Sequence, residues 1–360
     1  MKVCLIGQNL TNLILARVFE EKKLNVDIYL NKKSQNIKTN RTIALSSDNF
    51  DYLKFLAKSS IPAWKSKEIK IFLEDSQSKE LISFKKKNKE VFNLIAYSKL
   101  NEIFLKKVQK SKFVKFYHLD TSDPIIQKNI KNYDLVINSE NKNFISSKFF
   151  TNKIKKDYRS RAFTFLINHR SIVNVTAIQV FTKFGPLAFL PLSNTKTSIV
   201  FSYKGEKIDD EKIIDIFKKY NSFYSLTKIG KIEKFSLSFE MLRNYTYSNI
   251  LAFGDLIHRI HPLAGQGFNM TIRDIKIISK IIDGKISLGL PIDSSVANDF
   301  QNSTKHLNFL YGNAIDGIYE FFKLDSNINN SISKPVFRIL NNNSIFKKYS
   351  NILSDKGLNL

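Results

Sequence analysis

The sequence predicts an α/β fold with an antiparallel insert and a helical C-terminal part. Residues 2–6 and 25–30 read as strands on either side of a helical pattern at 10–22, a β-α-β unit of about thirty residues. Strand patterns between 161 and 203 are separated by turn residues without long helices, which favours a mostly antiparallel sheet. From 267 onward, apolar residues recur at helical spacing.

Composition indicates a globular protein rather than a membrane or disulfide-rich one. The 360 residues are 43% hydrophobic, enough for a large core in two domains. No stretch reaches the roughly 18–20 apolar residues of a membrane span, and the apolar start is too short for a signal peptide. The single cysteine, Cys4, excludes an intrachain disulfide and a cysteine-rich metal site. We expect no bound metal and a cytoplasmic chain.

The charge balance is strongly positive. Lys and Arg number 57 against 32 Asp and Glu, a formal net charge of +25. The basic residues are spread along the chain, and no basic–aromatic module is present, so we expect no nucleic-acid partner. Weak attraction to an anionic membrane surface is a consequence of the same charge.

The loop of the first β-α-β unit resembles a dinucleotide-binding turn only in part. Of the pattern G-x-G-x-x-G, Gly7 is present, while Asn9 and Asn12 fill the other two places. Leu30 stands where an acidic residue would hold a ribose. Because Asn tolerates positive φ, we expect the tight turn to form at Asn9. A β-α-β unit that binds nothing is the alternative interpretation.

Residues 254–274 form the most distinctive stretch. A strand at 249–253 runs into Gly-Asp, then a loop with two histidines and a proline, and then an amphipathic helix. The N-terminus of that helix can present free N–H groups to an anion. Gly265 and Gly267 would let the backbone approach a flat or phosphorylated ligand. The stretch therefore predicts a ligand site, with an ordinary strand–loop–helix connection as the alternative.

Two further motifs precede this stretch. Arg41 begins the short strand pattern R-T-I-A-L-S and could neutralise a phosphate; a solvated surface arginine is the alternative. Residues 185–192, G-P-L-A-F-L-P-L, form a strand pattern with prolines at its ends.

In their order, these motifs resemble those of the FAD-dependent aromatic hydroxylases, and within them the 2-polyprenylphenol hydroxylases of ubiquinone biosynthesis. Members show R-T-x-A-L-S, D-G, G-P-L-A-x-L-P-L and G-D-A-A-H-x-x-H-P-L-A-G-Q-G-x-N-x-x-x-R-D. This chain matches them at 41–46, 185–192 and 254–274, and has Glu-Asn at 140–141 in place of D-G. Residues 317–322 also resemble that branch, so the resemblance covers nearly the full length.

The resemblance implies a Rossmann-like FAD-binding domain, a substrate domain of mostly antiparallel sheet and a helical C-terminus. The FAD-binding domain would comprise 1–75, 93–158 and 247–290, the substrate domain 76–92 and 159–246, and the C-terminal helices 291–360. The implied cofactor contacts are Gly7, Asn9, Asn12, Arg41, Gly254, Asp255, Pro262, Gly265, Gln266, Gly267, Phe268 and Asn269.

Within this set the resemblance assigns individual roles. Asp255 would bind the ribityl chain, Pro262 would lie beside the isoalloxazine, and the backbone of 265–269 would face its pyrimidine edge and the pyrophosphate. Arg41 would lie near the pyrophosphate. The departures at Asn9, Asn12 and Leu30 predict a loosely held FAD.

The implied reaction uses NAD(P)H and O₂ through a C4a-hydroperoxyflavin to hydroxylate a polyprenyl-substituted phenol. His258 and His261 are the catalytic candidates, since an imidazole can help to deprotonate a phenol. Hydrogen bonds that fix the loop are the alternative role for both. We expect no metal between them, because further ligands are lacking.

The implied substrate carries an apolar polyprenyl chain, and this determines which partners we expect. We expect the polyprenylphenol, O₂, and either quinone-biosynthesis proteins or a peripheral contact with the inner face of the membrane. Core packing is the alternative for the C-terminal aromatic residues that suggest this contact: Phe309, Tyr311, Phe321, Phe322, Phe337 and Phe346. Two other functions stay open, a structural subunit with impaired flavin binding and another FAD oxidoreductase such as a geranylgeranyl reductase or halogenase.

Overall fold

The computed structural model describes residues 2–31, 39–74, 80–86, 89–205 and 208–327. Phe337, Phe346 and the short helical pieces predicted beyond 327 lie outside them. The elements in chain order are β1 (Lys2–Ile6), α1 (Leu10–Glu21), β2 (Asn25–Leu30), β3 (Thr42–Ser46), α2 (Ser47–Ala57), β4 (Trp64–Ser66), β5 (Glu68–Leu73), β6 (Ile82–Lys85), β7 (Phe92–Ala96), α3 (Tyr97–Gln109), β8 (Val114–His118), α4 (Ile125–Asn129), β9 (Leu135–Asn138), α5 (Phe144–Phe149), β10 (Lys153–His169), β11 (Thr176–Thr182), β12 (Gly185–Ser193), β13 (Lys196–Lys204), α6 (Asp210–Tyr220), β14 (Leu226–Ile229), β15 (Glu233–Leu242), β16 (Thr246–Tyr247), β17 (Ile250–Ala252), β18 (His258–Arg259), α7 (Gln266–Ser287) and α8 (Ser294–Asn327).

A six-stranded, mainly parallel sheet forms the first layer. Its strand order is β16-β17-β9-β1-β2-β8, and β1 pairs in parallel with both β2 and β9. The central strand is apolar on both faces, with Val3, Leu5 and Ile6 fully buried, as expected of a parallel strand covered by helices on both sides. The predicted β-α-β unit is confirmed.

A nine-stranded sheet forms the second layer, in the order β18-β15-β10-β13-β12-β11-β5-β6 with β14 beside β10. It is antiparallel except where β5 pairs with β11, which confirms the predicted insert. Two expected boundaries differ from the strands of this sheet. Strand β5, which begins at Glu68, already belongs to the sheet, whereas the insert is expected to begin at 76. Strand β10 begins at Lys153, before the boundary expected at 159.

A small sheet, β4-β7-β3, bridges the two larger ones. On one face Ala44, Phe92 and Leu94 pack against Leu190 and Leu192 of β12. Neither β4 nor β7 was predicted. β4 has only three residues, too few for a period-two pattern to stand out.

Helices α7 and α8 complete the fold. Helix α7 buries Ile272, Ile275 and Ile278 in the core of the parallel sheet. Helix α8 contributes Phe300 to that core, and Tyr319 further along to the core beside the nine-stranded sheet. Within the described residues, no helix has the length and apolar content needed to cross a membrane. The fold class is α/β, with an antiparallel insert and C-terminal helices.

Candidate cofactor-binding and active site

Two glycines of the 254–274 stretch take backbone conformations that side chains rarely adopt. Gly254 has φ +59° and Gly265 has φ +66°. A Cβ on Gly254 would lie 3.2 Å from Cγ2 of Thr11 on α1, and one on Gly265 would lie 3.0 Å from Cβ of Ala44 on β3. The loop is therefore held closely against the first β-α-β unit at one end and against the small sheet at the other.

Asn269 fixes the start of α7 to β3 and α2. Its Nδ2 donates to the carbonyl of Ala44 over 2.8 Å, and its Oδ1 accepts from the backbone N–H of Ser46 at 3.1 Å and from Nδ2 of Asn49 at 2.9 Å. Because its Nδ2 and Oδ1 are both hydrogen-bonded and the residue is buried, Asn269 fixes the position of the loop relative to β3 and α2.

Arg41 and Asp255 both act electrostatically on the hydroxyl of Tyr97. Both charged residues are exposed, and the Arg41 guanidinium lies 5.5 Å from the centroid of the Tyr97 ring. Burial raises the pKa of the Tyr97 hydroxyl, with a lowering influence from Arg41 and a raising one from Asp255. The same hydroxyl accepts a hydrogen bond from the N–H of Leu10 at 3.3 Å. The segment that begins at Arg41, the 254–274 loop and the first loop, which ends at Leu10, thus lie close to one another around Tyr97.

The asparagines of the first loop bind their own backbone. Asn12 is fully buried and donates from Nδ2 to the carbonyls of Ile6 and Gly7, at 2.9 and 2.8 Å. Asn9 is the N-cap of α1, with its Oδ1 accepting from the N–H of Asn12 at 3.1 Å. Its φ is −140°, so the left-handed turn expected at Asn9 is wrong. The positive φ of +115° belongs to Gly7.

His258 belongs to a buried polar network. Its Nε2 lies 2.8 Å from Oδ2 of Asp274, and Asp274 also accepts from Arg273 at 3.2 Å and from Asn308 on α8 at 3.4 Å. All four residues are buried: Arg273 is 6% exposed, His258 is 2% exposed, and Asp274 and Asn308 are 0% exposed. The network joins the loop to α7 and α8.

His261 lies among aromatic rings. It is 1% exposed, stacks on Tyr319 with ring centroids 4.1 Å apart, and meets the edge of Tyr158 at 5.3 Å. Neither ring nitrogen has a hydrogen-bond partner among the described residues. Burial lowers the pKa of His261 from 6.5 to about 3, so the ring is neutral at physiological pH.

The nine-stranded sheet has one covered face and one partly open face. Phe163, Phe189 and Phe201 on the covered face pack with α6. On the other face Ala188 and Val200 are only half-buried. Pairing places Gln179, Ala188, Val200 and Thr164 in one row across β11, β12, β13 and β10.

Polar atoms on this open face lack partners. Gln179 Nε2, Thr164 Oγ1 and Ser198 Oγ are buried without a hydrogen bond among the described residues. A buried polar atom of this kind is costly unless a ligand or water meets it. Sequence reasoning missed all three, because single polar residues in strands carry no motif. Tyr158 carries no motif either, whereas Tyr319 lies within the 317–322 motif, for which the sequence predicts no role at the site.

The open face adjoins the loop. Leu190 and Leu192 at one end pack against Ala44, which lies against Gly265. Phe181 at the other end packs in the cluster that contains Leu263. These contacts place the open face of the sheet beside the 254–274 loop and α8.

Comparisons with known proteins point in the same direction. Residues 163–283 match the family described as FAD binding domain. The chain is 27% identical over 211 residues to the ubiquinone biosynthesis monooxygenase COQ6, mitochondrial, of Dictyostelium discoideum, covering 48% of this chain and 43% of that protein. It is 20% identical over 177 residues to the ubiquinone hydroxylase UbiL of Rhodospirillum rubrum, covering 47% and 41%. The chain thus spans less than half the length of these relatives.

Among solved structures, the fold is similar to that of the p-nitrophenol 4-monooxygenase PnpA from Pseudomonas putida. The TM-score is 0.78 at 9% identity, over 97% of this chain and 96% of that one. A probable FAD-dependent monooxygenase from Pseudomonas aeruginosa, pqsL, has a TM-score of 0.70 at 14% identity, over 92% and 100%. At these identities the likeness shows the fold.

FAD is the cofactor that these findings support, and the residues fit its two ends differently. At the loop, the exposed Asp255 and Arg41 and the close backbone at Gly254 and Gly265 suit a flavin and its polar chain. At the first loop, Gly7 is covered by the side chain of Glu140. The flavin end fits, whereas the phosphate end is filled by protein groups.

Proposed function

We propose that this chain is a member of the FAD-dependent aromatic hydroxylases, on their ubiquinone-biosynthesis branch, and that it is an NAD(P)H-dependent monooxygenase that hydroxylates a polyprenyl-substituted phenol. The observation that carries this proposal is the packing of the 254–274 loop beside the open sheet face. This packing brings a flavin-compatible backbone close to a face whose buried polar atoms have no hydrogen-bond partner among the described residues.

FAD supplies the redox chemistry with O₂ when it is bound. The protein then has to hold the cofactor, orient the ring and keep water out. We assign Asp255 and Arg41 to the polar parts of the cofactor and the backbone of 265–269 to its flavin end. Leu190 and Val200 would limit water at the reacting ring.

The unpartnered polar side chains of the open sheet face, Gln179, Thr164 and Ser198, would orient the phenol. Gln179 can donate from Nε2 to the phenolic oxygen, and the hydroxyls of Thr164 and Ser198 can donate or accept. Of the two histidines, His261 keeps both ring nitrogens unpartnered among the described residues, so we assign it as the hydrogen-bond acceptor for the substrate hydroxyl. His258 is engaged with Asp274, and we assign it to the support of the loop.

We also propose that the enzyme contacts a membrane surface through α8. Tyr311 bonds to Gln266 and Phe322 stacks on Phe181, so these two of the predicted aromatic residues serve the core. The exposed apolar side chains near or on α8 are Ile286, Leu288, Leu290, Phe309, Leu310, Ile318 and Leu324. With a net charge of +25, they suit an anionic bilayer. Replacing Leu310 and Ile318 by serine should reduce co-sedimentation with anionic vesicles; unchanged binding would remove this part of the proposal.

The decisive experiment starts with FAD binding. The purified protein is titrated with FAD, and the visible absorption and fluorescence of the bound flavin are recorded. NAD(P)H oxidation is then measured with and without a polyprenylphenol, and the product is identified by mass. Stimulation by the phenol with a mass gain of one oxygen supports the hydroxylase. Flavin reduction without hydroxylation would favour another FAD oxidoreductase.

The filled first loop favours one second candidate, a structural subunit of a quinone-biosynthesis assembly that does not use flavin. In this candidate, the exposed Asp255 would have no ligand to meet. A protein that takes up no FAD at any concentration, yet co-purifies with other quinone-biosynthesis proteins, would support the subunit and exclude the monooxygenase.

A further inference from the structure

The Glu140 side chain lies in the phosphate cradle of the first loop. A Cβ added to Gly7 would lie only 2.4 Å from Cγ of Glu140, and 3.0 Å from its Cδ and Oε1. The carboxylate therefore occupies the space directly over the glycine whose small size normally admits a ligand. Glu140 follows β9, the strand that pairs with β1, so the sheet itself delivers it to this position.

The carboxylate also takes the hydrogen bonds that a phosphate would use. Glu140 accepts from Oγ1 of Thr121 at 3.1 Å and from the backbone N–H of Gln8, the residue after Gly7. Backbone amides at the start of a helix after such a loop are the groups that bind phosphate oxygens. Here the carboxylate of Glu140 accepts from one of these backbone amides, that of Gln8.

The neighbouring donors are engaged as well. The N–H of Leu10 donates to the Tyr97 hydroxyl and that of Asn12 donates to Oδ1 of Asn9. Asn9 is held in turn, since its Nδ2 donates to Oγ of Ser139 at 2.8 Å. The donors of the loop are thus engaged by side chains of the same chain, and among these side chains Glu140 is the carboxylic acid.

We propose that Glu140 is an internal competitor for the diphosphate of FAD, and that the cofactor binds only when this carboxylate leaves Gly7 and the Gln8 amide. Two anions cannot share one desolvated amide site without strong repulsion. The raised pKa of Glu140, caused by burial, agrees with a carboxylate held where its charge is poorly solvated. This inference rests on the proposed FAD-dependent function.

The test compares the wild type with Glu140→Ala, Glu140→Gln and Glu140→Asp. The Ala variant empties the cradle, the Gln variant keeps the length without the charge, and the Asp variant withdraws the charge by one methylene. Glu102→Gln is the matched control, because Glu102 is an exposed residue on α3 and loses the same charge away from the loop. Circular dichroism establishes which variants fold; if the Ala variant does not, the Gln and Asp variants carry the comparison.

Dissociation constants are measured for FAD by fluorescence quenching, and for ADP by calorimetry. ADP carries the diphosphate without the flavin. We expect Glu140→Ala to bind both ligands about tenfold or more tightly than wild type, Glu140→Gln to show a smaller gain, and the control to match wild type. Affinities for both ligands that agree within about twofold across all variants would overturn the inference while leaving the proposed function intact.

Two mixed outcomes are also decisive. If the Glu140 variants gain ADP affinity but no protein takes up FAD, then Glu140 competes with a diphosphate as proposed, while FAD as the ligand and the proposed function both fall. If no variant binds either ligand, then emptying the cradle creates no site, and both proposals are overturned.

Discussion

His258 Nε2 lies 2.8 Å from Asp274 Oδ2, so a strand residue and a helix residue sixteen positions apart form a fully buried pair. Asp274 also accepts hydrogen bonds from Arg273 and Asn308, and it therefore links β18, α7 and α8.

We predict that Asp274→Ala lowers the free energy of unfolding by about 3–5 kcal/mol, because it leaves Arg273 buried beside no carboxylate. Denaturant unfolding measures the loss. Glu102→Gln, which breaks an exposed ion pair with Lys106, should leave the free energy of unfolding close to the wild-type value. Equal losses in the two variants would contradict the role given to Asp274.

His261 should make stability dependent on pH. Its pKa is lowered to about 3 in the folded state, so below pH 6.5 the imidazole becomes protonated in the unfolded chain while it stays neutral in the folded one. Acidification therefore lowers the free energy of unfolding, by about 2 kcal/mol at pH 5 relative to pH 7.5 from this group alone. His261→Phe keeps the stack on Tyr319 and should lose that component. Denaturant unfolding of both proteins at the two pH values measures it, and parallel losses would refute the assignment.

Gly265 and Gly289 provide a matched pair for the loop. Their φ angles are +66° and +65°, but a Cβ on Gly289 meets nothing within 4 Å, whereas one on Gly265 meets Ala44. Both alanine variants should suffer the backbone strain of about 1–3 kcal/mol. Gly265→Ala should lose roughly 1 kcal/mol more, because Ala44 has to shift, and should also weaken FAD binding. If Gly289→Ala weakens FAD binding equally, the close approach at Gly265 is not what shapes the site.

Gln179 tests the open sheet face. If its Nε2 meets the phenol, Gln179→Leu should raise KM for the phenol about tenfold, the value of one lost hydrogen bond, and leave FAD affinity unchanged. Steady-state kinetics and the FAD titration together check this. Gln127→Leu, on α4 and remote from the sheet, serves as the control. An effect on kcat with no change in KM would place Gln179 in another role.

Local pattern was enough for the layers of the fold but not for the contents of the site. The apolar runs of β1 and β2 and the spacing of α7 are visible in the sequence because burial on a strand or helix face leaves a period. The short β4 leaves none. The 254–274 stretch was recognised by its glycines, but the partners of His258 come from α7 and α8, far along the chain, and no local signal connects them.

Glu140 shows the same limit more sharply. In sequence, Glu-Asn at 140–141 is a mild change from Asp-Gly, since the carboxylate is kept. In three dimensions, the side chain extends over Gly7, 133 positions earlier. The position of the Glu140 side chain depends on the pairing of β9 with β1, and a single sequence does not show this pairing.

Helix α8 has a mechanical consequence. One uninterrupted helix of 34 residues places Phe300 in the core of the parallel sheet and Tyr319 in the core beside the larger sheet. If one layer unfolded alone, α8 would lose its packing against that layer. The two layers are therefore expected to unfold together. Heating should produce a single calorimetric transition whose width reflects both layers, and a cut in the middle of α8 should split it into two.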